Sequence, residues 1–171
     1  YFTQSYNTQT FRIGTPYDTT RDAGGSSGGT GASIAANFGL VGTGSDTCAS
    51  VRLPPSNNSL VGVRSTVGLV SQDGLVPLSH TLDVGGPMTR TVRDAALLLD
   101  AMAGVDPADA KTLDATRVQP QTYTAFLDAG ALKGKRLGIF QPPLGKMKSV
   151  DSLFFKAVDY MKSQGAEVFE I

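Results

Sequence analysis

Two serine-bearing stretches carry the residues of this 171-residue chain best suited to covalent chemistry. The first, GGSSGGTGAS at residues 24–33, sets Ser26 and Ser27 among five glycines. The second, GTGSDTCASVRLP at residues 42–54, places Ser50 24 residues after Ser26. A serine hydroxyl is too weakly acidic to attack a carbonyl unaided, so it needs a base and donors for the oxyanion that forms. The N–H groups of Thr47, Cys48 and Ala49 enter a turn just before Ser50, and their small side chains let them point at one spot. Glycine costs roughly 1 kcal/mol per site in regular structure relative to alanine, so neither a helix interior nor a strand accounts for a run this dense.

Other glycine motifs compete for the first stretch. A phosphate-binding loop would take its frame from Gly24 and Gly29, but Thr30 stands where its lysine belongs. A dinucleotide fingerprint would need a glycine where Ile34 stands. The Gly-x-Ser-x-Gly elbow fits twice, yet it requires an apolar strand before it, and the polar TPYDTTRDA precedes. Its base would have to be His80, the only histidine, in a segment punctuated by proline and glycine; an uninvolved His80 is the plainer reading.

The rest of the chain narrows the function classes. Lys+Arg and Asp+Glu are both 15, so no net charge draws it to nucleic acid or an anionic membrane. No stretch approaches the ~20 apolar residues of a membrane span. A single cysteine rules out an internal disulfide and, with no leader pattern, points to the cytoplasm. The chain opens without Met and closes on GAEVFEI inside a strand pattern, so it reads as a piece of something longer.

These residues need elements to position them. Residues 1–23 read as an irregular approach, 28–38 as a short helix with close neighbours, and 40–44 as a buried strand. Pro54 and Pro55 are expected to stop any helix begun near Ser50. Residues 60–64 and 67–71 read as strands joined by a turn, and 72–90 as loop. TVRDAALLLDAMAG is the clearest helix, capped by Thr91 with Asp94 and ended by Gly104, with Val92, Ala95, Ala96, Leu99, Met102 and Ala103 as its apolar stripe. A linker over 105–134 precedes a βαβ segment over 135–171, whose strands should pair in parallel. The fold class is α/β.

Residues 24–104 resemble the amidase signature family, through the Gly-Gly-Ser-Ser-Gly-Gly element and the spaced Gly-Ser-Asp-Thr-x-x-Ser-x-Arg-x-Pro. The resemblance implies a mixed central sheet flanked by helices, with the βαβ unit at its C-terminal end. It implies amide hydrolysis through an acyl-enzyme, with Ser50 as nucleophile and Ser26 as a relay that follows a cis peptide from Gly25. A lysine is the base. Thr47, Cys48 and Ala49 form the oxyanion hole, and Gly25, Ser27, Asp46 and Arg52 support the geometry. No cofactor or metal is implied; the substrate is a small-molecule amide, and a homo-oligomer is left open. Three departures stand out. Cys48-Ala49 replaces the family's Gly-Gly, and these side chains would restrict any donor that needs positive φ; Cys48 itself is expected to be a small packed hydrophobe. Residues 1–25 hold no lysine, whereas the family's catalytic lysine lies upstream of the glycine run. Members also run well beyond 171 residues, so the chain reads as a central fragment, inactive by itself. The amidase component of a tRNA-dependent amidotransferase, and a silent binding or assembly protein of the same fold, remain as alternatives.

Overall fold

The computed structural model describes residues 4–9, 11–114, 122–140 and 147–171. Residues 115–121 of the expected linker and 141–146 of the expected βαβ segment lie outside the described residues. The chain divides into two units, Tyr1–Phe126 and Leu127–Ile171.

In the first unit, the approach to the glycine run is more ordered than its polar sequence suggests. Strands β1 (Tyr6–Asn7) and β2 (Phe11–Arg12) pair antiparallel, as do β3 (Gly14–Thr15) and β4 (Asp18–Asp22). Helix α1 (Gly28–Ala35) follows and packs on β5 (Val41–Asp46). β5 sits one residue later than expected and is half-open, with Leu40 79% exposed. Helix α2 (Leu53–Asn57) reverses the expectation for the prolines. Pro54 and Pro55 lie in its first turn, where no N–H partner is needed, so they start the helix after Ser50.

The central strand is the segment that read as loop. β7 (Val84–Thr89) is buried along its whole length and lies between β5 and β6 (Val61–Gly62), antiparallel to both. Gly85, Gly86 and Pro87 disguised it. A methyl group on Gly86 would collide with the Val63 carbonyl, so a side chain is excluded where the chains cross. The Pro87 carbonyl accepts from Val63 N–H just beyond the end of β6, so its nitrogen, which cannot donate, faces that same edge and leaves the pairing with β5 intact. Residues 67–71 form only isolated bridges, and the expected hairpin with 60–64 is absent among the described residues.

Helix α3 (Val92–Met102) packs on β7 and begins as expected, with the Thr91 side chain accepting from Asp94 N–H. Ala95, Ala96 and Leu99 are buried, and Leu99 joins Leu69 and Val70 in a core that Val63, Met102 and Tyr123 flank. Two details differ. Val92 faces outward, and Gly104 is not a left-handed cap, because Ala103 turns extended to bridge Val70. Short 3-10 turns follow at Ala110–Thr112 and Tyr123–Phe126.

The second unit is the expected βαβ arrangement. β8 (Arg136–Ile139) and β9 (Glu167–Glu170) pair in parallel, joined through α4 (Lys148–Ser163). Gly165, at φ +88°, allows the reversal after α4. Val158 is the buried residue of the helix, whereas Val150 and Leu153 are exposed.

Candidate active site

Both serine segments meet at the C-terminal end of β5. The Ser27 hydroxyl donates to the Ser45 carbonyl at 3.3 Å, which holds the start of α1 beside the place where the 47–50 turn leaves the strand. The Gly25–Ser26 peptide is cis, as expected. Ser26 is exposed and Ser50 half-buried. Neither hydroxyl has a hydrogen-bond partner among the described residues.

The setting of Ser26 depends on a residue the sequence did not flag. Ser5 is buried, and its hydroxyl accepts from Gly28 N–H at 2.8 Å while lying 2.8 Å from the Ser26 carbonyl and 3.0 Å from that of Gly24. This close approach explains the bare backbone. A methyl on Gly28 would sit 2.7 Å from Ser5 Cβ, and one on Gly25 would strike the Gln4 backbone. Asn58, fully buried, ties the two branches together. Its Nδ2 donates to the Ala23 carbonyl at 2.8 Å and to that of Pro54 at 2.7 Å, linking α2 to the strand that leads into Ser26.

Ser50 stands in a turn braced by charge. Asp46 is fully buried; it accepts from Val51 N–H at 2.9 Å, from Arg52 Nε and Nη2 at 3.2 Å each, and pairs with Arg64 Nε at 3.3 Å. Burial pushes the Asp46 carboxyl up, but the hydrogen bonds from Arg52 and Val51 N–H and the charges of Arg52 and Arg64 outweigh it and hold the group below 3.8. Arg52 also donates to the Cys48 carbonyl. Arg52 N–H and Leu53 N–H both reach the Ala49 carbonyl, at 2.9 and 2.7 Å, making a helical turn with Ser50 inside it.

Thr47, Cys48 and Ala49 open that turn. None has positive φ, so the side chains that replace the family's glycines impose no left-handed strain there. Cys48 is exposed, which corrects the expectation of a packed thiol. The Thr47 hydroxyl donates to Asp83, a buried carboxylate outside the motif that sequence reasoning passed over. The β5–β7 register carries the signal that could have found it. Asp46 pairs with Val84, so Thr47 and Asp83 face each other one step beyond the ladder. His80 is exposed and belongs to the 72–83 segment, where its carbonyl accepts from Lys111 Nζ. Among the described residues no three His, Cys, Asp or Glu side chains gather as a metal site, and no helix is long and apolar enough to cross a membrane.

The model of the family described as Amidase matches residues 1–171. A glutamyl-tRNA(Gln) amidotransferase subunit from Cyanothece sp. is 45% identical over 158 residues, which is 91% of this chain and 32% of that protein. The native peptide amidase of Stenotrophomonas maltophilia superposes with a TM-score of 0.89 at 36% identity, over 99% of this chain and 35% of its own. The corresponding glutamyl-tRNA(Gln) amidotransferase subunit from Thermotoga maritima gives a TM-score of 0.88 at 33% identity, over 99% and 37%. The chain thus spans about a third of the length of the relatives it matches.

Proposed function

The chain belongs to the amidase signature family, and on that premise we propose that it is the serine-bearing part of an amide-bond hydrolase in which Ser50 is the nucleophile. Ser50 Oγ bonds to the amide carbonyl carbon as its proton passes through Ser26 to a lysine. The carbonyl oxygen gathers charge against the N–H groups of Thr47, Cys48 and Ala49. The C–N bond then breaks, the leaving nitrogen takes the relayed proton, and water hydrolyses the acyl-Ser50 ester. Gly25 and Ser27 hold the relay segment, and Asp46 and Arg52 hold the turn. In this reading the lysine lies upstream of the glycine run, outside the part of the protein that this chain spans. Residues 1–25 offer none, and Lys111 is engaged by Gln72 and the His80 carbonyl.

The observation that carries this reading is the braced turn. Asp46 closes it onto Val51 N–H and Arg52 and leaves the Ser50 hydroxyl unpartnered among the described residues. The test is steady-state hydrolysis of a small anilide and a primary amide by the intact parent protein. Ser50→Ala should abolish turnover, Ser26→Ala should lower it by about the 10²–10⁴-fold that a lost proton relay costs, and His80→Ala should leave it within twofold. Turnover that survives Ser50→Ala would end the reading. The 171-residue chain by itself should show no turnover, because no lysine precedes its glycine run.

A second reading has its own support. The 45% identity with the Cyanothece amidotransferase protein favours an amidotransferase role, with glutamine as the amide and partner proteins to receive the ammonia. Glutaminase activity that rises when an acceptor-bearing partner is added would select it over the free-standing amidase.

A further inference from the structure

We propose that Asp83 is a positioning residue for the oxyanion turn, acting through Thr47; this rests on the reading of Ser50 as nucleophile. The turn runs from Thr47 to Ser50, and its far end is fixed where Asp46 holds Val51 N–H and Arg52. Cys48 is exposed and the Ala49 side chain is a methyl, so the side-chain anchor within 47–49 is the Thr47 hydroxyl, which donates to Asp83 Oδ1 beside the Arg52 bond to the Cys48 carbonyl.

Asp83 is built as a rigid mount. It is 5% exposed, and its second oxygen accepts from Leu78 N–H and Ser79 N–H at 2.8 Å each. Leu82 N–H and Asp83 N–H return to the Ser79 carbonyl at 3.0 and 2.8 Å, closing the segment on itself. Burial raises the Asp83 carboxyl, but the Thr47 hydroxyl, the two N–H groups and the nearby His80 outweigh it and keep the group below 3.8. It is therefore an ionised, acceptor-only partner at neutral pH. Arg64 joins this mount to the other end of the turn. Its Nη2 donates to the Leu82 carbonyl at 2.7 Å while its Nε pairs with Asp46. Both ends of the donor turn thus hang on one polar frame, and small displacements of oxyanion donors are costly to rate.

The test separates positioning from mere support of the 78–83 segment. Thr47→Val removes the hydroxyl at nearly constant shape and leaves the Asp83 bonds to Leu78 and Ser79 in place. In the intact parent, Thr47→Val should lower kcat 10- to 100-fold with KM within threefold and the far-UV circular dichroism at the assay temperature unchanged. Asp83→Ala, which removes both carboxylate oxygens, should lower kcat by a similar factor, the double variant should be no worse than the stronger single, and Thr47→Ser should restore kcat to within threefold. Thr47→Val with kcat within twofold, or losses that multiply in the double variant, would overturn the assignment. If Asp83→Ala fails to fold, the Thr47→Val and Thr47→Ser pair decides alone. Ser50→Ala is assayed alongside. An inactive Ser50→Ala with an active Thr47→Val removes only the role of Asp83, whereas an active Ser50→Ala removes the nucleophile and this proposal with it.

Discussion

The two serines are held by different forces. Around Ser26 the contacts are neutral and depend on how closely backbones approach: the Ser5 hydroxyl bonds to Gly28 N–H, and the Asn58 amide bonds to Ala23 and Pro54. Around Ser50 they are ionic: one buried carboxylate faces two guanidinium groups, and a second carboxylate holds Thr47. In the proposed mechanism Ser26 is a relay that must keep its place, which a steric mount, acting at any pH, can ensure. A turn whose N–H groups must stay free for an oxyanion is better held through side chains, so that the backbone donors are not consumed. The contrast means that the two mounts should fail under different conditions.

The largest effect is expected at the ionic mount. Asp46→Ala leaves Arg52, Arg64 and Val51 N–H without their shared acceptor; breaking a buried pair this way costs about 3 kcal/mol. The unfolding free energy of the parent at pH 7 should fall by about that much, and a fall below ~1 kcal/mol would show that solvent replaces the carboxylate. Next in size is the neutral mount. Ser5→Ala strands Gly28 N–H and the Ser26 carbonyl, and an unmade bond to a buried group costs about 1–3 kcal/mol.

The pH dependence separates the two. Asp46 and Asp83 are both held below 3.8 in the folded chain, so the stability they add is complete above that value and is lost as pH falls through their lower folded values. The deficit of Asp46→Ala should therefore shrink below about pH 4, while that of Ser5→Ala should stay constant. Denaturant titrations at pH 7 and pH 3 measure this, and parallel losses would refute the division. The smallest effect belongs to Cys48→Gly. Cys48 is exposed at ordinary φ, so restoring the family's glycine should change stability by less than about 0.5 kcal/mol.

Much of this was legible in the sequence where residue type limits geometry. The glycine run marked the segment of the cis peptide, Thr91 and Asp94 marked a helix start, and the tail read as βαβ. Three things were hidden for physical reasons. β7 looked like a loop because Gly86 excludes a side chain at a crossing and Pro87, which has no N–H to donate, turns its nitrogen away from the β5 ladder. Pro54 and Pro55 begin a helix or end one according to where the chain enters it, which local pattern leaves undecided. Ser5 and Asp83 reach the site across 23 and 36 residues, to Gly28 and Thr47 respectively, and no local spacing records such a pairing.

The most direct test of the central claim is to label the intact parent with a serine-directed fluorophosphonate and locate the adduct by peptide mass spectrometry. A single adduct on Ser50, absent from Ser50→Ala and still formed more slowly in Ser26→Ala, is the predicted result. An adduct on Ser26 that persists in Ser50→Ala would contradict it, and would make the glycine-flanked serine the nucleophile.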